Sequence, residues 1–347
     1  MIDTKESQKM GLGYLLDLAT GHYKSKVLFV ASNLKIFTIL SKQPKTLKEI
    51  AEELNIKMRP ASMLLNACVA LGLLEKKEGI YSNSRTADVY LVEGRSQYME
   101  PAFFKFDEHS YLLFDKLEKA ILNDLPQIVT ENPKDPELLV SCMLIGNRDD
   151  YRSFLSALDP IAQWPASAIA GRFDFSPYKK LLDIGGGSGI YSIAIVKKNP
   201  NIEAIVFDLP YVCEIGEKIT KEQGLSHRIK YYSGDYFKDD FPNGVDVALI
   251  SNILHGYGPK TCNFLLKKIH DSLPSGGSII ISDLILDEDG CGPDIAVLMS
   301  FYFLLITEEG RNYTLSEYEH MLKDAGFADI KSFRSSGETR FISGVKI

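Results

Sequence analysis

The chain has few cysteines and no long apolar run, and both shortages limit what it can be. Its five cysteines among 347 residues are scattered, odd in number and without a CxxC pair; they are Cys68, Cys142, Cys213, Cys262 and Cys291. Such a set indicates reduced thiols in a cytoplasmic protein. The longest apolar stretch, 296–306, is shorter than the ~20 residues that a bilayer requires, so we expect neither a membrane span nor a membrane partner.

The amino-terminal segment lacks the features of a signal peptide. It has no apolar core, and charged side chains are spread through it, namely Asp3, Lys5, Glu6, Lys9 and Asp17. We therefore expect a cytoplasmic protein without a secretory leader.

Composition and charge place the chain among soluble globular proteins. Hydrophobic residues make up 45% and charged residues 24%, which excludes disordered, collagen-like and coiled-coil chains, and the length suits about two domains. The net charge of −7 is uneven, because residues 1–100 hold 14 basic against 11 acidic side chains and residues 101–347 hold 25 against 35. The larger part is therefore a poor candidate for nucleic acid, whose phosphates attract positive surfaces.

The first hundred residues combine helical periodicity with a short hairpin. Apolar residues recur at helical spacing over 10–40. The pattern Thr46-Leu-Lys-Glu49 is a capping box that starts a short helix, and a second helix opens at Pro60. Residues 73–81 predict a two-stranded hairpin with a glycine turn. Together these elements predict a winged-helix domain over 1–100.

The rest of the chain changes character near residue 171. Residues 101–170 are predicted to form a helical linker that also supplies helices to a substrate pocket, with a polar, proline-bearing interruption. Short apolar strands then alternate with helical segments, over 180–184, 203–207, 228–232, 245–250 and 278–284. This alternation predicts an α/β domain over 171–347 with a parallel sheet covered on both faces. Residues 330–333 and 341–345 predict a terminal hairpin around Gly337.

The segment Leu181-Leu-Asp-Ile-Gly-Gly-Gly-Ser-Gly189 carries most of the functional signal. It ends the first predicted strand of the sheet and opens a helix, and its glycines let a ligand approach the backbone at a helix amino terminus. Asp208 ends the next strand, 23 residues after Gly185, where a carboxylate can bind two ribose hydroxyls.

A dinucleotide site is one alternative for this segment. The spacing is GxGxG rather than GxGxxG, however, and Asp183 would repel a pyrophosphate. A carboxylate there suits a ligand with ammonium and sulfonium groups. The remaining alternative for Asp183 is that it only binds backbone N–H groups of the loop.

Several motifs, in their order and spacing, resemble one family. They are Asp174-Phe-Ser-Pro-Tyr178, Leu182-Asp-Ile-Gly-Gly-Gly187, Phe207-Asp-Leu-Pro210, Gly234-Asp-Tyr-Phe237, Ser251-Asn-Ile-Leu-His255, Leu273-Pro-Ser-Gly-Gly277 and Ala325-Gly-Phe327. Over 175–345 the chain resembles class I S-adenosylmethionine-dependent methyltransferases. Taken whole, it resembles the small-molecule O-methyltransferases with an N-terminal winged-helix dimerisation domain, which include acetylserotonin, caffeic-acid-type and bacterial tailoring enzymes. This implies a Rossmann-like α/β fold with seven strands, the last antiparallel.

The resemblance also implies which residues bind the expected cofactor, S-adenosylmethionine, and its product S-adenosylhomocysteine. They follow four successive strands, and are Asp183, Gly185, Gly187, Asp208, Leu209, Gly234, Asp235, Tyr236 and Ser251. The glycines would lie against the methionine part, Asp208 and Leu209 would contact the ribose and the adenine edge, and Asp235 and Tyr236 would hold the adenine. Ser251 would lie near the cofactor's carboxylate. We expect no metal, because no His, Asp and Glu cluster has ligand spacing.

Methyl transfer to oxygen mainly requires that a protein align the acceptor and remove its proton. The resemblance implies that His255 is the general base and that Asp283, 28 residues later, orients it. The alternative for His255 is a packed or capping histidine.

Two positions depart from the family pattern. The usual His-Asp followed by Trp is His255-Gly256-Tyr257 in this chain, and Asn312 stands where a second acid is expected. That acid is lost unless Glu308 or Glu309 substitutes for it. The departures leave open a C- or N-methyltransferase, or a family member that binds the cofactor and does other chemistry.

The acceptor pocket is expected to combine side chains of the linker helix, of the helix after the fifth strand and of the segment beyond it. They are Phe154, Leu155, Leu158, Met299, Tyr302, Phe303 and Asn312. Each apolar one taken alone could belong to an ordinary core. Together they predict a flat, apolar, aromatic acceptor.

A DNA-binding regulator that senses a ligand is the competing function of another class. A recognition helix needs several polar side chains, whereas the second helix of the winged unit offers Arg59, Ser62 and Asn66 among apolar neighbours. We therefore expect no nucleic-acid partner. We expect a homodimer through residues 1–100, because the apolar spacing over 10–40 exceeds what one small domain can bury.

Overall fold

The computed structural model describes most of the chain, namely residues 11–95, 97–99, 103, 110–128, 151–334 and 340–347, without the side chains of 151–154, 156 and 157. Cys142, much of the proline-bearing stretch and Gly337 lie outside these ranges. The chain divides into two compact units, Met1–Glu108 and His109–Ile347. Among the helices described, none has both the length and the apolar character needed to cross a bilayer.

The first unit consists mainly of short helices. They are α1 Leu12–Ala19, α2 Gly21–Asn33, α3 Ile36–Lys42, α4 Leu47–Glu53, α5 Met58–Ala70 and α6 Arg85–Tyr90. The region predicted to be helical over 10–40 therefore holds more than one helix. It is interrupted at Thr20 and again at Lys35, whose left-handed backbone (φ 56°) cannot continue a right-handed helix.

The predicted capping box starts α4. The Thr46 hydroxyl accepts the N–H of Glu49, and the Glu49 carboxylate accepts the N–H of Thr46 at 2.7 Å. These bonds satisfy N–H groups that the start of a helix leaves free. Ile50 of α4 packs in the core of the unit with Phe37 and Leu65, and all three side chains are fully buried.

A small antiparallel sheet completes the first unit. The predicted hairpin consists of β2 Leu74–Lys77 and β3 Ile80–Asn83, joined through Glu78 and Gly79, which both have positive φ. A further short strand, β1 Lys45–Thr46, pairs with β3 and gives the order β1-β3-β2.

The second unit alternates strands and helices from residue 180 onward. Its strands are β4 Lys180–Ile184, β5 Glu203–Asp208, β6 Ile229–Ser233, β7 Val247–Ser251, β8 Ser278–Asp283, β9 Phe327–Arg334 and β10 Arg340–Lys346. Its helices are α7 Tyr111–Phe114, α8 Leu117–Asn123, α9 Tyr151–Arg172, α10 Ile190–Lys198, α11 Pro210–Glu222, α12 Pro259–Ser272, α13 Asp294–Ile306 and α14 Leu315–Ala325. A 3-10 turn spans Leu254–Gly256.

Within the described residues these strands form one sheet of seven, in the order β6-β5-β4-β7-β8-β10-β9. Strands β4 to β8 pair in parallel, and β10 is antiparallel to both β8 and β9. The predicted α/β fold, with seven strands and an antiparallel last strand, is confirmed. Because the strand order reverses direction beside β4, a crevice forms there at the carboxyl ends of the strands, where ligands of such sheets bind.

Helices cover both faces of the central strands. Every residue of β7 and β8 is buried. One face packs against α12 and α14, and the other against α9 and α10. Strands buried on both faces are apolar throughout, which explains the continuous apolar runs in the sequence.

Candidate active site

The glycine-rich loop follows β4 and leads into α10. Gly185, Gly187 and Gly189 have φ values of 63°, 57° and 78°, which favour glycine. The N–H of Gly185 donates to the Phe207 carbonyl at 2.8 Å, and a Cβ at Gly185 would lie 2.6 Å from Cδ1 of Ile253. Glycine therefore keeps this loop closely packed on its neighbours while the loop backbone carries no side chain toward a ligand.

Asp183, near the end of β4, is fully buried under this loop. Its Oδ2 accepts the Ser192 hydroxyl at 2.6 Å, and its Oδ1 has no hydrogen-bond partner among the described residues. Burial raises the pKa of Asp183 to about 6; the Ser192 hydrogen bond opposes the rise and the charge of Asp208 adds to it. A buried acceptor without a partner costs free energy, so Oδ1 is an atom that a cationic group of the expected cofactor would satisfy.

Asp208, at the end of β5, ties the glycine loop to the start of α11. Its Oδ2 accepts the N–H of Gly187 at 2.8 Å, and its Oδ1 accepts the N–H of Leu209 at 2.7 Å. Burial raises the pKa of Asp208 to about 6, against the effect of these two bonds. Each oxygen keeps a lone pair for a further donor, so the carboxylate can bind ribose hydroxyls while it holds the loop.

The segment after β6 carries the residues expected to hold the adenine. The N–H of Gly234 donates to the Asp208 carbonyl at 2.9 Å. Asp235 accepts the N–H of Phe237 and the Lys238 ammonium, both at 2.8 Å. Tyr236 is buried, and its hydroxyl lies 2.7 Å from that of another tyrosine, Tyr257.

The predicted cofactor residues meet at one edge of the sheet. Parallel pairing of β4 with β5 and β7, and of β5 with β6, brings the carboxyl ends of these strands side by side. Ser251 is the buried last residue of β7. The set therefore surrounds the crevice beside β4, with a glycine cradle and an unpartnered buried carboxylate oxygen, which fits a nucleoside ligand with a cationic group.

His255 lies in the 3-10 turn after β7 and is buried. Its Nδ1 is 3.0 Å from Oδ1 of Asp283, although the alignment of the two groups falls short of a hydrogen bond. Catalytic pairs are often poorly aligned before substrate binds. The imidazole stacks on the Phe303 ring, with centroids 4.2 Å apart and planes at 29°, which fixes the ring plane.

Asp283, the last residue of β8, is also bound by a tyrosine that the sequence reasoning missed. Its Oδ2 accepts the Tyr318 hydroxyl at 2.7 Å. A buried tyrosine usually needs a partner for its O–H, but the sequence contains no signal for which partner that is.

Asn312 does not supply an acid, because its side chain is an amide. The Asn312 amide donates to the Ala296 carbonyl of α13 at 2.6 Å, and its Oδ1 has no hydrogen-bond partner in the described part of the chain. Glu308 and Glu309 are both exposed. Asp283 is the carboxylate whose contact with His255 the described residues show, at 3.0 Å.

The predicted acceptor residues fall into separate surroundings. Met299 and Tyr302 are half-buried on α13, and Leu158 is exposed on α9. Leu155 instead packs near the glycine loop, since a Cβ at Gly187 would lie 3.0 Å from its Cδ2. The side chain of Phe154 lies outside the described residues, and Phe303 is buried against His255.

Asp159 of α9 is a second residue that the sequence reasoning missed. It accepts the hydroxyl of Ser188, in the glycine loop, at 2.5 Å. Burial raises the pKa of Asp159 to about 6, and the Ser188 hydrogen bond opposes the rise. Three carboxylates therefore surround this loop, yet the described residues contain no group of three or more His, Cys, Asp or Glu suited to a metal.

Comparison with known proteins gives the same assignment for both units. A family model described as the O-methyltransferase domain matches residues 144–328, and one described as the O-methyltransferase dimerisation domain matches residues 16–93. The chain is 35% identical to the 3-hydroxy-5-methyl-1-naphthoate 3-O-methyltransferase of Streptomyces sahachiroi, over 96% of this chain and 94% of that one. It is 30% identical to the tetracenomycin polyketide synthesis 8-O-methyl transferase TcmO of Streptomyces glaucescens, over 99% of each.

A solved structure agrees with these matches. The human N-acetylserotonin methyltransferase in complex with SAM has a TM-score of 0.88 and 25% identity, covering 100% of this chain and 99% of that one. The inferred enzyme class and dependence on S-adenosylmethionine are thereby confirmed. Since the domain model spans more than half of the chain and its relatives span nearly all of it, the chain belongs to the S-adenosylmethionine-dependent O-methyltransferase family that carries a dimerisation domain.

Proposed function

We propose that this enzyme methylates a hydroxyl oxygen of a small aromatic acceptor and that His255 is its general base. The observation that carries the proposal is the 3.0 Å separation between Nδ1 of His255 and Oδ1 of Asp283. Because Nδ1 faces the carboxylate, Nε2 is the nitrogen left to take a proton from the acceptor. Stacking on Phe303 holds the ring in that orientation.

Bound S-adenosylmethionine supplies an activated methyl group on a sulfonium. We propose that Asp183 and the glycine loop bind its methionine part with Ser251, that Asp208 and Leu209 bind the ribose, and that Gly234, Asp235 and Tyr236 bind the adenine. The unpartnered Oδ1 of Asp183 and the free lone pairs of Asp208 support this assignment.

The proton step depends on the charge beside the imidazole. When His255 takes a proton from the acceptor, the imidazolium that forms has its Nδ1 3.0 Å from Oδ1 of the buried Asp283 carboxylate. Position 256 is glycine and Asn312 is an amide, so we propose that Asp283 carries this role. An acceptor whose hydroxyl is itself acidic, such as a phenol, needs the least help from such a base.

The surroundings of the site support a flat aromatic acceptor. Met299 and Tyr302 are half-buried side chains of α13 that pack against the cluster containing Phe303. Phe303 is the residue whose ring stacks on His255. The Streptomyces sahachiroi relative acts, by its name, on a hydroxynaphthoate, which is an acceptor of this kind. We propose that Leu158 and Asn312 also line this pocket, and that Leu155, which lies beside Gly187, borders the cofactor as well.

We also propose a homodimer formed through a winged-helix domain over residues 1–100, followed by the helical linker 101–170 and the methyltransferase domain 171–347. No residue of helix α1 is buried, and its leucines are all more than half exposed: Leu12, Leu15, Leu16 and Leu18. An apolar face of that kind needs a covering partner. The match of residues 16–93 to a dimerisation domain supports a second copy of the chain.

The polar side chains of α5 support a small-molecule enzyme rather than a nucleic-acid partner. Asn66 donates to the Ser62 hydroxyl at 3.3 Å and accepts the Tyr81 hydroxyl at 2.9 Å and the Lys76 ammonium at 3.2 Å. Side chains engaged within their own unit are not free to contact base edges. The free state of the described cysteines supports the proposed cytoplasmic location.

The test of the proposed base is His255→Ala, assayed with methyl-labelled S-adenosylmethionine and 3-hydroxy-1-naphthoic acid. Turnover should fall by roughly 10²–10⁴ while calorimetric affinity for the cofactor stays unchanged. The matched control is His227→Ala, since that histidine is exposed and is not one of the proposed site residues. Full activity of the His255 variant would contradict the base, and a wild-type enzyme inactive on all hydroxynaphthoates would contradict the acceptor class.

A further inference from the structure

Asp283 makes contacts on both of its oxygens, one toward the site and one away from it. Oδ1 lies 3.0 Å from Nδ1 of His255, and Oδ2 accepts the Tyr318 hydroxyl at 2.7 Å. The exposed fractions of Tyr318, Asp283 and His255 are 0%, 1% and 7%. Three buried polar side chains are therefore in contact in the order His255, Asp283 and Tyr318, and the Tyr318 hydroxyl binds the carboxylate oxygen that does not face the imidazole.

Tyr318 remains a donor at any pH at which the enzyme works. Burial, with a further contribution from the Asp283 charge, raises its pKa well above the ordinary value. The phenol therefore stays protonated, and its O–H can point only toward an acceptor. A hydrogen bond to a charged group is stronger than one between neutral groups, so this bond fixes the carboxylate.

The other groups that feel the charge of Asp283 also stay neutral. Burial raises the pKa of Tyr191 and of the Cys262 thiol to about 12 each, and the Asp283 charge adds to both shifts. Near neutral pH neither carries charge. The described geometry therefore places His255 beside Asp283 as the ring that the carboxylate contacts, with Nδ1 3.0 Å from Oδ1.

Tyr318 is itself rigidly held. It lies in the first turn of α14, directly after the capping box in which Thr314 accepts the N–H of Glu317 at 3.2 Å. Its ring packs edge-on against Tyr313, with centroids 5.5 Å apart. Because the start of α14 and the Tyr313 ring both hold the Tyr318 ring, the Tyr318 hydroxyl has a fixed position.

We propose that Tyr318 is a positioning residue of the proton-transfer step, acting on His255 through Asp283. The inference rests on the proposed role of His255. At the two positions where the family pattern has acids, this chain has Gly256 and Asn312, so the support of the one carboxylate seen beside His255, that of Asp283, matters more. The Tyr318 hydroxyl holds Oδ2 by a hydrogen bond, so Oδ1 stays beside Nδ1 of the imidazole. The same bond draws part of the carboxylate's negative charge away from Oδ1.

The first test measures the imidazole directly in the full-length protein. Histidine is labelled with 13C at Cε1, and the His255 signal is assigned by its loss in His255→Ala. Tyr318→Phe removes the donor that withdraws charge from Asp283, so the carboxylate favours the imidazolium more strongly. We expect the titration midpoint of the His255 signal to rise by roughly half a pH unit, and to stay unmoved when the same change is made in Asp283→Asn.

The matched control is Tyr81→Phe in the first unit. Tyr81 is 1% exposed and its hydroxyl also donates to a side-chain oxygen, that of Asn66, at 2.9 Å. Its loss removes a partly buried tyrosine hydrogen bond to a neutral acceptor, far along the chain from the site, and should leave the His255 midpoint where it is. Thermal unfolding of each variant shows that it is folded over the titration range.

The second test is kinetic and uses 3-hydroxy-1-naphthoic acid as the acceptor. Tyr318→Phe should lower kcat by about three- to tenfold with KM for both substrates unchanged. The double variant with Asp283→Asn should be no slower than Asp283→Asn alone, because the phenol acts through that carboxylate. Independent, additive losses would mean a general structural role.

A measurement on the wild-type protein covers the case in which Tyr318→Phe does not fold. With 13C at tyrosine Cζ, the Tyr318 signal should shift with the same midpoint as the His255 signal, since the two share one carboxylate. Separate midpoints, or a His255 midpoint that Tyr318→Phe moves equally with and without Asp283, would overturn the inference. An active His255→Ala enzyme would overturn the proposed base instead, and the NMR result would still decide whether Tyr318 controls the imidazole.

Discussion

The hydroxyls of Tyr236 and Tyr257 lie 2.7 Å apart and are both buried. Tyr236 belongs to the segment after β6 proposed to hold the adenine, and Tyr257 directly follows the turn that carries His255. The Tyr257 carbonyl accepts the Tyr313 hydroxyl at 2.5 Å, and the Cys262 thiol donates to the Leu254 carbonyl at 3.3 Å. Three contacts thus hold the turn and the residue after it, from Tyr236, Tyr313 and Cys262. Of these, Tyr236 is the residue that we propose to bind the cofactor.

This pair predicts that a change at Tyr257 reaches the cofactor. Tyr257→Phe leaves the Tyr236 hydroxyl without this partner, at a cost of about 1–2 kcal/mol, so affinity for S-adenosylmethionine should fall. Tyr236→Phe should do the same, and the double variant should lose less than the sum. Calorimetry on all three variants measures the coupling, and strictly additive losses would contradict it.

Asp208 predicts a larger effect on the cofactor. Asp208→Ala removes the acceptor of two backbone N–H groups and of the ribose hydroxyls, so affinity for S-adenosylmethionine should fall by about tenfold or more. The matched control is Asp246→Ala, since that carboxylate also accepts backbone N–H groups, of Lys179 and Lys180, at the opposite edge of the sheet. Equal affinities for wild type and the Asp208 variant in calorimetry would disprove the ribose assignment.

The raised pKa of Asp159 predicts that Asp159→Asn stabilises the protein in a pH-dependent way. Its pKa in the folded protein, about 6, lies above the ordinary 3.8, so ionisation destabilises the fold as pH rises between these values. Asp159→Asn keeps an acceptor for Ser188 without the charge. Below pH 3.8 the variant and wild type should unfold alike, and above pH 6 the variant should be more stable by roughly 1–3 kcal/mol. Urea unfolding from about pH 3 to about pH 8 gives the difference in unfolding free energy across both pKa values, and a pH-independent difference would rule the explanation out.

The exposed leucines of α1 predict the oligomeric state. Light scattering of the full-length chain should give the mass of a dimer, and the double change Leu15→Asp and Leu16→Asp should give a monomer, because charge at a buried apolar interface is costly. Phe264→Asp is the control, since Phe264 is an exposed apolar residue of the second unit. A wild-type monomer, or a dimer that survives the α1 changes, would contradict the proposed interface.

The sheet could be predicted from the sequence because its strands are buried on both faces. Such strands appear as short, uninterrupted apolar runs, and β4 was predicted at its observed bounds of Lys180–Ile184. Helix ends in the first unit were harder. Helix α5 begins at Met58 rather than at Pro60, and the break at Lys35 depends on a left-handed backbone that no glycine marks.

The strand-end residues could also be predicted, whereas the support behind them could not. Asp183 and Asp208 sit at fixed places in motifs, so topology alone brings them together. The contact of Tyr318 with Asp283 joins residues 35 positions apart, and that of Asp159 with Ser188 joins residues 29 apart. Both depend on how a helix packs on the sheet, which local patterns do not encode.

The order of the strands in the sheet also determines which strands can pair while the chain is still being translated. Each strand from β5 to β8 has a sheet neighbour that leaves the ribosome before it. Strand β9 has none, since its neighbour in the sheet is β10, which is translated later. Until β10 inserts between β8 and β9, the nascent chain exposes the open edge of β8, whose last residue is Asp283. The residue proposed to orient the base therefore lies on an unpaired strand edge until the last strand is made and Arg340 pairs with it.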